Sequence, residues 1–153
     1  MRKALAAALC LVLLAASGTA LAEKTVTLTF VGDCTLGGED WLINREGSFH
    51  DYARKEGYTY FFEKMRDFFS EDDLTIINFE GVLKDDSRDA VNKTYCFRGP
   101  TDFARILPLS SIEAVNLDNN HTLDYGKRGK TSTVEALTGA GVPVFDELTP
   151  YIF

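Results

Sequence analysis

The chain has 153 residues, 45% of them hydrophobic and 25% charged, with 16 basic and 23 acidic side chains and a net charge of −7. That length fits one domain rather than two. The acidic balance, with no run of clustered Lys or Arg, argues against a nucleic-acid binder or a basic patch for anionic lipid. At the start, Arg2 and Lys3 precede an apolar run over residues 4–16 that leads to Ala20, Leu21 and Ala22. This is the pattern of a secretory signal peptide cut after Ala22. The run is too short to cross a bilayer. The expected division is therefore residues 1–22 as signal peptide and residues 23–153 as one domain, exported to the periplasm, cell surface or medium with no transmembrane anchor after cleavage. Removing the leader takes away two basic groups and no acidic ones, which leaves a net charge of −9. Cys10 goes with it, and with Leu9 before it and a place early in the apolar run it does not suit a lipid anchor. Cys34 and Cys96 are too few for a disulfide scaffold and lack a C-x-x-C spacing, so whether they pair stays open.

Residues 25–31 alternate, with Val26, Leu28 and Phe30 on one face and threonines on the other, and predict a strand that stops at Gly32. Residues 59–69 place Phe61, Met65 and Phe68 at helical spacing, widened by Phe62 and Phe69, and predict an amphipathic helix resting on a sheet. His50 reads as a surface helix residue, and Trp41, Phe49 and Tyr52 are candidates to cover an opening near Asp33. Residues 74–79 and 114–117 are short β-prone runs. Between them Thr101 is a cap for a short helix ending before Pro108, and residues 84–93 read as a solvated loop. Residues 131–140 predict a helix stopped by Gly141, followed by a strand over 142–145. Strand alternating with helix is the α/β rhythm. The chain ends on Tyr151, Ile152 and Phe153 where another strand would begin, and four strands with few helices make a thin core, so the domain is expected to be incomplete at its C-terminus.

Polar residues gather after three of the strands: Asp33 in the 31–37 loop, Asn78 and Glu80 after the second strand, and Asn119, Asn120, His121 and Asp124 after the third. In a parallel sheet the carboxyl ends of strands share one edge, so these distant segments can meet there. Carboxylate and amide oxygens with one imidazole and no thiolate suit Mn, Fe, Zn or Mg, which suggests metal-assisted hydrolysis with His121 giving a proton to the leaving group. Each residue also has an ordinary reading. Asp33 can close an Asx turn, Glu80 can be solvated, Asp124 can cap a helix, and His121 can be a hydrogen-bonded structural histidine.

Taken in order, Gly32-Asp33-x-x-Leu36-Gly37, Asn78-Phe79-Glu80 and Asn119-Asn120-His121-x-x-Asp124-Tyr125-Gly126 resemble the CapA-type capsule biosynthesis proteins, linked to poly-gamma-glutamate. Their domain belongs to the calcineurin-like metallophosphoesterase superfamily, and the resemblance runs from about Thr25 to the last residue. It implies a layered α/β fold, a sheet with flanking helices and a metal-type pocket at the strand ends. It also implies Asp33, Glu80 and Asn120 as ligands of a divalent metal, His121 as the catalytic histidine, and Asn78, Asn119 and Asp124 in support. Thr35 stands where the superfamily has a histidine, and the later histidine motifs have no counterpart, since no histidine follows His121.

Two functions follow. One is an exported CapA-like protein acting in the synthesis or export of a capsule polymer, its partners being the polymer or the synthesis machinery of the envelope, and a metal-dependent phosphoesterase-like hydrolase when its domain is complete. The other is a non-catalytic envelope module that holds an anionic polymer or a partner protein.

Overall fold

A computed structural model describes residues 24–152. The expected signal peptide and the C-terminal Phe153 lie outside the described residues. Strands β1 (Leu28–Cys34), β2 (Leu74–Phe79), β5 (Ala114–Asn116) and β6 (Val144–Phe145) form one four-stranded sheet in the order β1-β2-β5-β6, and every pair is parallel. Strands β3 (Val82–Leu83) and β4 (Arg98–Gly99) make a second, two-stranded parallel sheet. The helices are α1 (Phe49–Glu56), α2 (Arg66–Ser70) and α3 (Gly126–Gly139), joined by 3-10 turns such as Thr101–Ile106. The expected α/β fold of parallel strands and flanking helices is present. Among the described residues no helix is long and apolar enough to cross a membrane.

Register and the two-residue period decide which side chains reach the core. Ile77 pairs with Val115, and both lie in one buried cluster with Phe79, Phe69, Phe103, Ile106 and Leu137, against which the half-buried Val144, paired with Val115, packs. Phe30 pairs with Ile76 and belongs to the opposite face, where Phe30 is 71% and Leu28 45% exposed. The alternation over 25–31 is real, but its large apolar residues look out to solvent and the strand enters the core through Val31. Strand β1 also runs later than expected, through Gly32 and Asp33 to Cys34. An irregularity in its register between Phe30 and Asp33 carries the chain past the glycine.

Several other elements differ from the sequence pattern. Residues 59–69 are not one helix. A 3-10 turn at Tyr58–Tyr60 and the short α2 divide them, so Phe69 is buried, Phe61 and Phe62 are half-buried, and Met65 and Phe68 face solvent. Thr101 does not cap its turn, since Pro100 holds the cap position and the Thr101 hydroxyl and N–H donate instead to Asp85. Helix α3 begins at Gly126, five residues before the expected start, and ends as expected, with Gly141 at φ 83°. It docks on β3 closely. A Cβ on Gly129 would sit 3.1 Å from the Val82 Cγ1, and the Ser132 and Thr133 hydroxyls bond the Leu83 backbone at 2.7 and 2.9 Å. Helix α1 starts where Ser48 accepts the Asp51 N–H at 3.1 Å. His50 on this helix is buried, not at the surface. It is 7% exposed, lies 5.1 Å from the Phe103 ring, and its Nε2 has no hydrogen-bond partner.

Candidate functional site

Parallel pairing brings the ends of β1, β2 and β5 into line, with Asp33 opposite Asn78 and Asn78 opposite Asn116. Their side chains join across the strands. The Asn78 Nδ2 donates to Asp33 Oδ1 at 2.7 Å, while its Oδ1 accepts Asn116 at 3.0 Å and Asn119 at 3.1 Å. The Asn119 amide also donates to the Phe79 carbonyl at 2.9 Å, and its Oδ1 accepts the His121 backbone N–H at 2.9 Å. Two side chains, Asn78 and Asn119, therefore connect Asp33 to the His121 backbone.

His121 sits in a tight turn that leads into α3. Its Nδ1 lies 2.7 Å from Asp124 Oδ2, and its ring stacks on Phe97 at 4.4 Å with an interplanar angle of 26°. Asp124 is 1% exposed and its carboxylate has three neighbours: His121, the Phe97 N–H at 2.8 Å and the Lys93 ammonium at 2.9 Å. It does not cap α3, whose cap position is Tyr125 with no side-chain bond. The turn is anchored from below, since the Tyr125 hydroxyl donates to Asp40 at 3.0 Å and Arg98 grips the same carboxylate at 2.6 and 2.8 Å. Arg98 also donates to the Lys84 carbonyl at 2.6 Å, which ties the loop after β1 to the two-stranded sheet.

The structure thus brings together Asp33, Asn78, Asn119, His121 and Asp124. Glu80 is attached to the same region by its main chain, the N–H donating to the Cys34 carbonyl at 3.0 Å, and its carboxylate makes no hydrogen bond among the described residues. Asn120 takes part through its carbonyl, which accepts Lys93 at 2.8 Å. Asn116 and Lys93 are the members that sequence reasoning missed. The period-two alignment of Asn116 with Asn78 was a usable signal, whereas Lys93 lies in the stretch read as a solvated loop and carries none. Trp41, Phe49 and Tyr52 pack locally, with Trp41 against Arg45, Phe49 stacked on Phe61 at 3.9 Å and Tyr52 on Tyr60. Cys34 and Cys96 are both free thiols. Burial, with the neighbouring Asp33 charge, pushes the Cys34 thiol up to about 11, which leaves it protonated and a poor nucleophile.

The donor chemistry bears on the expected metal. Among the described residues no group of three or more His, Cys, Asp or Glu side chains is placed to hold an ion. One oxygen of Asp33 is already engaged by Asn78. The side chains joined by the bonds above are carboxylates, amides and one imidazole. They form a polar rim with a carboxylate at one end and an oriented imidazole at the other.

A parallel α/β sheet with a histidine-bearing rim at its strand ends defines the class. Residues 27–145 match the family model described as Bacterial capsule synthesis protein PGA_cap, and the chain belongs to that family. It is similar to the Capsule biosynthesis protein CapA of Bacillus anthracis, 26% identical over 122 residues, which are 77% of this chain and 27% of that protein. It is also similar to a protein of Mycobacterium tuberculosis strain H37Rv named Probable polyglutamine synthesis accessory protein, 39% identical over 70 residues, which are 46% of this chain and 18% of that protein. The matched part thus spans only 18% and 27% of the length of these curated relatives.

Proposed function

We propose that this chain is an exported component acting in the synthesis or export of an anionic, poly-gamma-glutamate-type capsule polymer, and that the rim from Asp33 to His121 is its working site. Membership of the capsule synthesis family supports the process. The observation that carries the site is the His121–Asp124 pair at 2.7 Å, linked through Asn119 and Asn78 to Asp33, since an imidazole held this way is fitted to move a proton at a bound substrate oxygen. In this proposal Asn78 and Asn119 hold the rim in shape and Asp124 orients the ring. Asp33, Glu80 and Asn120 are the residues that would touch a divalent ion, whose chemistry would be to polarise a phosphoryl or carbonyl oxygen. With fewer than three His, Cys, Asp or Glu donors in reach, binding of such an ion by this chain alone is expected to be weak.

The same shortage favours a second reading, a non-catalytic module that holds an anionic polymer or an envelope partner at the rim. Purified protein and its Asp33→Ala and His121→Ala variants separate the two. The measurements are turnover of a phosphodiester with Mn2+ present, metal content, and retention of poly-gamma-glutamate. Turnover lost in His121→Ala and metal content reduced in Asp33→Ala support the hydrolase. Polymer retained without turnover, and lost in His121→Ala, supports the module. Neither turnover nor retention in the wild type rejects the rim as a working site.

A further inference from the structure

We propose that Lys93 is a positioning residue for His121, acting through Asp124. This rests on the reading that His121 is the working group of the rim, but its test does not.

Segment 91–97 crosses the turn that carries His121 and attaches to it at several points. The Val91 N–H donates to the Asp124 carbonyl at 2.9 Å and the Phe97 N–H to Asp124 Oδ2 at 2.8 Å, with the Phe97 ring lying on the imidazole. Lys93 supplies the charge. Its ammonium reaches Asp124 Oδ1 at 2.9 Å and the Asn120 carbonyl at 2.8 Å, and stands 3.3 Å from His121 Nδ1. Its side chain is 32% exposed, while that of Asp124 is 1% exposed. A carboxylate so deeply buried is costly unless it is paired and hydrogen-bonded, and Lys93 is the Lys or Arg that bonds it.

The arrangement also decides how the imidazole is used. Lys93 holds one carboxylate oxygen and Phe97 shares the other with His121, so the Asp124 carboxylate acts only as an acceptor. The 2.7 Å contact then requires a proton on His121 Nδ1. In the neutral ring Nε2 is left with its lone pair as an acceptor. Without the ammonium, Asp124 loses its counter-charge and one of the two donors, with the Phe97 N–H, that fix its rotation, and the hold on the ring is loosened with it. Arginine at the position could donate to the same two oxygens, whereas methionine keeps the length of the side chain and removes the charge.

The hydrogen-bonded Nδ1 proton gives a downfield proton resonance, and the two imidazole nitrogens are distinguished by their two-bond nitrogen–proton correlations. In the wild type the proton is expected on Nδ1. In Lys93→Met the downfield resonance is expected to disappear and the correlation pattern to move toward a mixture of tautomers, while Lys93→Arg restores both. A resonance and pattern unchanged in a folded Lys93→Met protein would overturn the proposal. If Lys93→Met does not fold, the Lys93 ammonium signal is followed instead in Asp124→Asn and in the exposed control Asp118→Asn. A shift in the first alone supports the pairing, and no shift in either overturns it. Should Lys93→Met lose the resonance while His121→Ala leaves turnover and polymer retention unchanged, the positioning role stands and the functional reading of the rim falls.

Discussion

At the residue scale, burial without a partner is informative at His50. Its Nε2 is enclosed and unpaired, and burial first, then the nearby Arg98 and Arg54 charges, hold its imidazole below the ordinary histidine value, with the Asp40 charge opposing them. The unfolded chain therefore binds the proton more readily than the folded one, so this residue's share of stability is present above the ordinary value of 6.5 and falls as pH drops below it. Urea midpoints at pH 7.5 and 5.5 are expected to show a loss of stability at the lower pH that is smaller in His50→Leu; an equal loss in both proteins removes His50 as the cause. Nothing in Ser48-Phe49-His50-Asp51-Tyr52 announces this, because burial of the third residue depends on Phe103, about a third of the chain away. Asp124 shows the reverse. Its place in the Asn119-to-Gly126 motif marks it as important, but cap and orienting group are alike in sequence, and only the bond to His121 separates them.

At the scale of elements, the loop after β1 and the start of β4 cross with almost no clearance. Gly38 exchanges backbone hydrogen bonds with Arg98 at 2.9 and 3.1 Å. A Cβ on Gly37, whose φ is 139°, would lie 2.3 Å from the Arg98 carbonyl oxygen, and one on Gly99 would lie 2.1 Å from that of Leu36. Gly37→Ala is therefore expected to destabilise the protein by about 2 kcal/mol or more, read from its urea midpoint, whereas Gly47→Ala, at φ 75° with open space around its Cβ, bears only the backbone strain, about 1 kcal/mol. A midpoint for Gly37→Ala no lower than that for Gly47→Ala would show that the crossing relaxes. Gly37 is visible in the sequence as part of a motif, and residues 74–79 are legible as β2 to the residue, because a β-branched run bounded by an acidic turn has few alternatives. Strands β3 and β4 are not legible. Each is two residues long, and their pairing is held by Arg98, Asp40 and the docking of α3 rather than by any local pattern.

At the scale of the molecule, the sheet is covered by helices on the face that bears Ile77, Phe79 and Val115, while at β1 the other face is open through Leu28 and Phe30. Parallel sheets ordinarily bury both faces. A truncation on each side is expected to read this difference directly. Ile77→Ala should cost about 2–5 kcal/mol of unfolding free energy, and Phe30→Ser no more than about 0.5 kcal/mol. Phe30 also lies on an edge strand, so Phe30→Lys is expected to reduce light scattering at high protein concentration without shifting the midpoint. The α/β class was readable from the order of the elements, and the meeting of Asp33 with the His121 turn from the rule for parallel strands. Which face of β1 enters the core was not, because an alternating strand with bulky residues on one side gives no sign of whether anything lies over them. The asparagine bridge carries a directional consequence. Asn78 receives at its oxygen and gives at its nitrogen, so its carboxamide has one sense of rotation that keeps all three bonds, and turning it over would set like poles against Asp33, Asn116 and Asn119 at once. The orientation of a single carboxamide thereby sets the polarity of the whole row, from the amides of Asn116 and Asn119 to the Asp33 carboxylate on the edge strand.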